Sequence, residues 1–192
     1  MLLELEAGGI SSEISVNKAN RLLERVIADG EVTRHRVLIA RELVDDIARL
    51  DTALKASKKR IGAAVAASGT TLTDIVGIGA ICSAIIIGFT GDVTRFPTKG
   101  HFATYNATAP IEASSGDRPR HRLNPRRDRE LNHAIHIAAI CQLRYNTEGH
   151  AYYERKIAEG KTSKEAIRAL KRQISDRVYR HLVANANRTA TQ

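Results

Sequence analysis

The 192-residue chain has little of what stabilises several protein classes. It contains no tryptophan, two cysteines and four prolines, and only 4% of its residues are aromatic. Cys82 and Cys141 are too few for a disulfide scaffold or a four-thiolate zinc site, and we expect them to be small buried residues in a reducing compartment. Few aromatics beside 27 alanines disfavour a β-sandwich. The composition therefore favours an all-α protein.

Long hydrophobic runs are also missing. The best candidate for a membrane span, residues 75–89, has 15 residues and includes four glycines or serines, whereas a bilayer requires about 20 apolar residues. Residues 1–6 lack the basic region and apolar core of a secretory signal. We therefore expect a cytoplasmic protein that has no membrane partner.

Positive charge is abundant and unevenly placed. The net charge is +9, and residues 1–74 hold 11 basic and 11 acidic side chains whereas residues 75–192 hold 19 and 10. Six arginines fall within twelve residues: Arg118, Arg120, Arg122, Arg126, Arg127 and Arg129. Arginine, which outnumbers lysine 21 to 9, suits bidentate contacts with phosphate. The second half is therefore predicted to bind nucleic acid, which would associate the protein with the nucleoid.

The first half has the spacing of helices. Residues 15–29 are predicted to form a short amphipathic helix capped by Ser15 or Asn17 and stopped by Gly30. A longer helix is predicted over residues 34–68. Its apolar or small residues recur at spacings of three and four: Ala40, Leu43, Ile47, Leu50, Leu54, Ser57 and Ile61. This heptad pattern predicts pairing with another helix, either in the same domain or in a coiled coil between subunits.

The second half is predicted to be a compact helical domain. A short helix, the turn Gly77-Ile78-Gly79 and an apolar helix are typical of a helix-hairpin-helix element, in which glycine lets backbone amides approach a phosphate. A tight turn between two core helices is the alternative. Further helices are predicted at 98–106, 127–145, 148–159 and 162–184, with a polar loop at 107–126. We place the domain boundary between residues 70 and 71.

Two of these helices have clear core faces. The helix over 127–145 places Leu131, Ile135, Ala138 and Ala139 on one side and Arg127, Glu130 and Gln142 elsewhere. The last helix opens with a capping box, Thr162 to Glu165, and its core face comprises Ala166, Leu170, Ile174, Val178 and Leu182.

Three side chains in one helix resemble a metal site without forming one. His133 and His136 are neighbours on a helix face, but Cys141 lies about 140° further round the helix axis. These three side chains cannot close on one ion. No metal site is predicted in this chain.

The polar loop offers a candidate nucleophile. Ser114 and Ser115 precede Gly116, and the arginine cluster follows them. A serine hydroxyl could attack a phosphodiester there while arginines bind the charged transition state, with His121 as the nearby base. The alternative is a solvated basic loop that only grips a nucleic-acid backbone.

Short motifs in residues 72–182 resemble a known family. They stand in the family's order: Gly77-Ile-Gly79, Gly91-Asp-Val-Thr-Arg-Phe96, Gly100-His-Phe-Ala-Thr-Tyr105, Ala109-Pro110, Ser115-Gly116, Asn124-Pro-Arg-Arg-Asp-Arg-Glu-Leu131 and Gly160-Lys-Thr-Ser-Lys-Glu-Ala166. This part resembles the C-terminal serine-bearing domain of the bridge-RNA-guided insertion-sequence transposases. Residues 15–71 are similar to the helical linker and coiled coil of that family.

The resemblance implies a function in DNA transposition. It makes Ser115 the nucleophile, Ser114 the fallback and the six arginines the phosphate clamp. It implies DNA and a guide RNA as partners and a homo-oligomer held by the long helix. Mg²⁺ is implied only for the family's RuvC-like domain, and no cofactor is expected in this chain.

Whether the chain is itself an enzyme stays open. Residues 1–70 have neither the alternation of strands nor acids at strand ends, so we expect the RuvC-like half to be missing. The chain would then be inactive alone, as a truncated transposase copy would be. The alternative is a nucleic-acid-binding and dimerisation module without chemistry.

Overall fold

The computed structural model describes residues 14–109, 111–112, 121–122 and 128–190, and over these residues it confirms the all-α class. The helices are α1 Val16–Glu24, α2 Glu31–Ala67, α3 Ala80–Thr90, α4 Lys99–Tyr105, α5 Arg129–Arg144, α6 Glu148–Ala158 and α7 Ser163–Ala190. Two 3₁₀ turns, Leu72–Asp74 and Val93–Arg95, flank α3, and two short strands, β1 Ile111–Glu112 and β2 His121–Arg122, pair antiparallel. Within the described ranges no helix has the length and apolarity to cross a membrane.

The chain divides into two compact units, Met1–Arg60 and Ile61–Gln192. The last turns of α2 therefore belong to the second unit. The boundary predicted between residues 70 and 71 follows the expected end of a helix, and it stays a prediction.

The first unit is built on α1 and the first part of α2. The Ser15 hydroxyl accepts a hydrogen bond from the backbone amide of Lys18 at 3.3 Å, which confirms Ser15 as the N-cap. Ala19 and Leu23 of α1 pack against Ala40 and Val44 of α2. The prediction that α1 continues to residue 29 is wrong. Ile27 is 88% exposed, so no packing supports a further turn of helix there.

The predicted heptad residues of α2 differ in exposure, and Ser57 and Ile61 are partly buried. Ala40 is buried against α1, whereas Leu43, Ile47, Leu50 and Leu54 are each more than half exposed. We call these four residues the α2 stripe. An exposed apolar stripe at heptad spacing is what a pairing helix would cover. The coiled coil itself stays a prediction.

The second unit has its own hydrophobic core. The predicted core faces of α5 and α7 are confirmed, since all nine of their apolar residues are at most 9% exposed. Phe102 of α4 and Ile86 of α3 are fully buried in the same cluster. The predicted capping box of α7 is also confirmed: the Thr162 amide donates to Glu165 Oε2 at 2.9 Å, and the Glu165 amide donates to the Thr162 hydroxyl. The α7 helix runs to Ala190, beyond its predicted end at residue 184.

Two predictions about α5 and the cysteines are corrected. Gln142, which is predicted to lie off the core face of α5, is only 6% exposed, and its Nε2 donates to the carbonyl of Val76 at 2.7 Å. Cys82 and Cys141 are partly buried instead of fully buried. Burial, and then the proximity of Cys141, raise the pKa of the Cys82 thiol. Both cysteines are free.

Candidate nucleic-acid interface

The glycine turn before α3 packs on the backbone of α5. Gly77 has φ +87°, and a Cβ atom there would lie 2.6 Å from the carbonyl oxygen of Ala138. Both observations require glycine at this position. Packing against α5 is therefore a sufficient reason for Gly77, and its predicted role toward phosphate stays a prediction.

Gly79 differs from Gly77. It is the N-cap residue of α3, has φ −84° and makes no side-chain capping bond. A Cβ atom there would have no neighbour within 4 Å. The space around Gly79, at the start of α3, is therefore open. The segment before the turn is the 3₁₀ turn Leu72–Asp74 rather than a regular helix, and the helix-hairpin-helix interpretation stays a prediction.

The segment predicted to carry the nucleophile begins and ends beside α4. The amide of Ala109 donates to the carbonyl of Ala103 at 3.0 Å, and the amide of Asp128 donates to the carbonyl of Tyr105 at 3.0 Å. Between these points β1 and β2 pair, with Ile111 opposite Arg122. The predicted polar loop therefore includes a short antiparallel ladder, and Ser114 and Ser115 fall in the sequence between its strands.

Most of the predicted site residues lie outside the described residues. These are Ser114, Ser115, Arg118, Arg120, Arg126 and Arg127. Arg122 is described only as a backbone position in β2. Arg129 is exposed at the first position of α5, directly after the N-cap Asp128, whose carboxylate accepts the amide of Leu131 at 2.8 Å.

A cleft of about 480 Å³ lies between α5 and α7. Its lining residues are Arg129, Glu130, Asn132, His133, His136 and Lys171. We call it the α5–α7 cleft. Partial burial, then the Lys171 ammonium and the neighbouring His133 imidazole, hold the pKa of His136 below its usual value. The cleft therefore combines two permanent cations with two imidazoles against one carboxylate.

A polar network connects this cleft to the core. Asn132 accepts a hydrogen bond from Lys171 Nζ at 2.8 Å and donates to the carbonyl of Asn106 at 2.6 Å. Asn106 is fully buried, and its side chain donates to the Ser175 hydroxyl at 2.8 Å and accepts from the Thr108 hydroxyl at 2.7 Å. Sequence reasoning missed this network. The Asn106-Ala-Thr108 spacing after a helix is a signal for the local bonds only.

A second cleft, of about 520 Å³, involves α4, α6 and α7. Its charged lining residues are Lys99, Glu148, Asp176, Arg177 and Arg180. Lys99 lies 3.5 Å from Asp176, and Arg177 lies 3.4 Å from Glu148. These cations are partly neutralised by carboxylates, so the second cleft carries a positive charge that does not depend on histidine.

No metal site is formed by the described part of the chain: no three or more His, Cys, Asp or Glu side chains come together there in a way that could hold an ion. His133 and His136 both line the α5–α7 cleft. Cys141 instead lies against the glycine turn, with its Cβ 3.1 Å from the position a Gly77 Cβ would take.

These features define a helical domain with cation-rich clefts and a serine-bearing segment set at the end of α4. Residues 69–154 match the family model described as Transposase, IS116/IS110/IS902 family. That range includes the glycine turn, both candidate serines, all six clustered arginines and the α5 side of the cleft. The matched part of the chain is therefore similar to a transposase domain of insertion sequences.

Two curated relatives align with this chain at similar sequence identity and over similar lengths. The chain is 35% identical over 103 residues to an insertion element IS110 uncharacterized 43.6 kDa protein of Streptomyces coelicolor, and the alignment covers 53% of this chain and 25% of the relative. It is 34% identical over 98 residues to an insertion element IS900 uncharacterized 42 kDa protein of Mycobacterium paratuberculosis, covering 50% of this chain and 25% of the relative. The chain thus aligns with about a quarter of the length of these relatives.

Proposed function

We propose that this chain acts in DNA transposition as the DNA-binding, serine-bearing part of an insertion-sequence transposase. The observation that carries the proposal is the match of residues 69–154 to the transposase family model. The cation-rich clefts support it, because contacts with a phosphate backbone supply most of the affinity of proteins for DNA.

In this proposal Ser115 is the nucleophile and Ser114 the fallback. The serine oxygen forms a bond to phosphorus, a DNA hydroxyl leaves with a proton, and the serine proton passes to a base. Serine is a weak nucleophile without such activation. The arginines at 118, 120, 122, 126, 127 and 129 would neutralise charge on the phosphate. Support comes from the hydrogen bonds at Ala109 and Asp128, which hold both ends of this segment beside α4.

The resemblance also implies Mg²⁺ in a RuvC-like domain. The described residues bring no set of metal-ligating side chains together, so the ion does not fit this part of the chain. We propose that any metal-dependent activation comes from outside the described residues, and that this chain alone binds DNA without forming a covalent adduct.

Two further partners belong to the proposal. The α2 stripe would pair with the same stripe of a second copy, which makes the protein a homo-oligomer. A guide RNA is the second nucleic-acid partner, and it is supported by the family resemblance of the motifs in residues 72–182.

The test is a denaturing gel for protein linked to labelled DNA. The chain is combined with a RuvC-like domain, Mg²⁺ and a matching RNA, as wild type, as Ser115→Ala and as Ser114→Ala. We expect an adduct that Ser115→Ala abolishes and Ser114→Ala retains. The opposite pattern would move the nucleophile by one residue. No adduct under any condition would favour the non-catalytic binding and dimerisation module, which needs only the clefts and the α2 stripe.

A further inference from the structure

The α5–α7 cleft gathers basic side chains that neither the glycine turn nor the serine segment uses. Arg129, His133 and His136 follow one another at spacings of four and three, which places them on one face of α5. Lys171 joins them from α7, and Glu130 is the one acidic residue among the described lining residues. Lys171 of α7 and one face of α5 thus line an open surface cleft with an excess of positive charge.

Lys171 is held in place before any ligand arrives. Its ammonium group donates to Asn132, and Asn132 donates in turn to the backbone of the fully buried Asn106. A side chain that is already ordered loses less conformational entropy when it binds. The network therefore prepares one cation of the cleft for a ligand of opposite charge.

We propose that the α5–α7 cleft binds a backbone phosphate of DNA, with Lys171 and Arg129 as permanent cations and with His136, beside His133, as a proton-dependent donor. The choice of DNA rests on the proposed function. The group that the cleft recognises is the phosphodiester, which RNA also contains. Asn132, which lines the cleft, donates to the carbonyl of Asn106, the C-cap residue of α4. Because the serine-bearing segment begins and ends beside α4, a phosphate bound in the cleft would position DNA near that segment.

The histidines make the site sensitive to pH. In the free protein, burial, then the Lys171 ammonium and the neighbouring His133 imidazole, hold the pKa of His136 below its usual value, so the His136 imidazole is neutral near pH 7. A phosphate opposes the positive charge of Lys171 and favours the charged imidazole, so binding takes up protons and strengthens as the pH falls. The charged groups facing His136 in the cleft are Arg129 and Glu130 from α5 and Lys171 from α7, and the His133 imidazole lies beside them.

The second cleft supplies an internal comparison. Its cations are Lys99, Arg177 and Arg180, and its described lining residues include no histidine. DNA bound only there would show no histidine-dependent gain on acidification. The pH dependence of DNA binding therefore shows which of the two clefts holds the DNA, whereas a loss of affinity alone would not.

The first experiment measures binding of the full chain to a fluorescent DNA duplex at about pH 6 and about pH 8, over a range of salt concentrations. We expect tighter binding at the lower pH, and we expect the double variant His133→Gln with His136→Gln to lose most of that gain. Lys171→Met should weaken binding several-fold and reduce the salt slope by about 0.9, the contribution of one phosphate contact. Lys171→Arg should retain most of the affinity.

The matched control is His35→Gln on α2, which removes an exposed histidine from the other unit. It should leave the pH profile of binding unchanged. If wild type binds DNA but the cleft variants bind with the same affinity, salt slope and pH profile, the site is overturned while the proposed function stands. An RNA of the same sequence that loses affinity in the same variants would assign the cleft to the phosphodiester in general rather than to DNA.

If wild type fails to bind DNA, that result counts against the proposed function. A second experiment then tests whether the cleft binds an anion. Inorganic phosphate is added to the full chain while the histidine ring signals are followed by NMR. Shifts of His133 and His136 without a shift of His35 support an anion site. No shift of either cleft histidine at any phosphate concentration overturns it.

Discussion

At the scale of single residues, Gly77 and Gly79 belong to the same turn but differ in backbone conformation and in their surroundings. Gly77 combines a positive φ with direct contact to the α5 backbone, whereas Gly79 has an ordinary φ and open space around it. The sequence motif Gly77-Ile78-Gly79 does not distinguish between the two glycines. Only the packing of the turn on Ala138 distinguishes them.

We therefore predict opposite outcomes for two matched substitutions. Gly77→Ala should reduce the free energy of unfolding by about 2–4 kcal/mol, because the new methyl group combines backbone strain with overlap against a carbonyl oxygen. Gly79→Ala should change it by less than about 1 kcal/mol. Urea denaturation followed by circular dichroism measures both. Equal destabilisation by the two variants would contradict the packing described here.

Residues at this scale also mark where sequence reasoning fails. Helical periodicity places the polar Gln142 outside the core face of α5, yet the side chain is buried and its Nε2 donates to the Val76 carbonyl. Asn106 is buried because it links Thr108, Ser175 and Asn132. Such partners lie on distant segments, and helical periodicity carries no information about them.

At the scale of elements, periodicity predicts the helices well and their ends less well. The apolar faces of α5 and α7 follow the 3.6-residue repeat over several turns, which fixes both the helix and its buried side. The ends depend on local packing: α1 stops before the exposed Ile27, and α7 continues past its last predicted turn. For the candidate site, the sequence indicated the glycine turn and the arginine at the start of α5, whereas the α5–α7 cleft requires knowing that the two helices are neighbours.

The start of α7 gives a prediction about pH. The hydrogen bonds from the Thr162 hydroxyl and amide hold the pKa of Glu165 below its usual value. The contribution of the Glu165 cap to the free energy of unfolding is therefore present at neutral pH and is lost as the pH falls through the depressed pKa of Glu165. Thr162→Val should raise that pKa toward its usual value in a carboxyl NMR titration. Glu159, whose pKa is lowered by its bond to Lys156, should not move.

The α2 stripe gives a prediction about assembly. Leu43→Asp with Leu50→Asp places two charges on the exposed apolar face of α2, and this should lower the mass measured by light scattering if the stripe pairs two copies. Arg41→Asp with Lys55→Asp is the matched control, because both residues are exposed and lie off the heptad pattern. A wild-type chain that is already monomeric would contradict pairing between subunits.

At the scale of the whole molecule, charge follows the division into units. Residues 1–60 hold 11 basic and 10 acidic side chains, whereas residues 61–192 hold 19 and 11. The second unit also has its own buried core, from Leu72 to Leu182. A core of its own is what an independently folding domain requires, and an excess of positive charge favours association with nucleic acid.

We predict that residues 61–192 alone retain the DNA affinity of the full chain, apart from any gain due to pairing of subunits. The plot of log affinity against log salt should be steep, since each phosphate contact adds about 0.9 to its slope. Fluorescence anisotropy with a labelled duplex measures this. Equal affinity from residues 1–60 would contradict an interface confined to the second unit.

The two hydrogen bonds that hold Ala109 and Asp128 beside α4 have a consequence for evolution. Because the ends of the intervening segment are fixed to one helix, its closure entropy depends only weakly on its length, and doubling the number of residues costs about 0.6 kcal/mol. We therefore expect insertions within this segment to leave the helical core almost unaffected. A lineage can vary the chemistry carried between β1 and β2 while it inherits the rest of the domain unchanged.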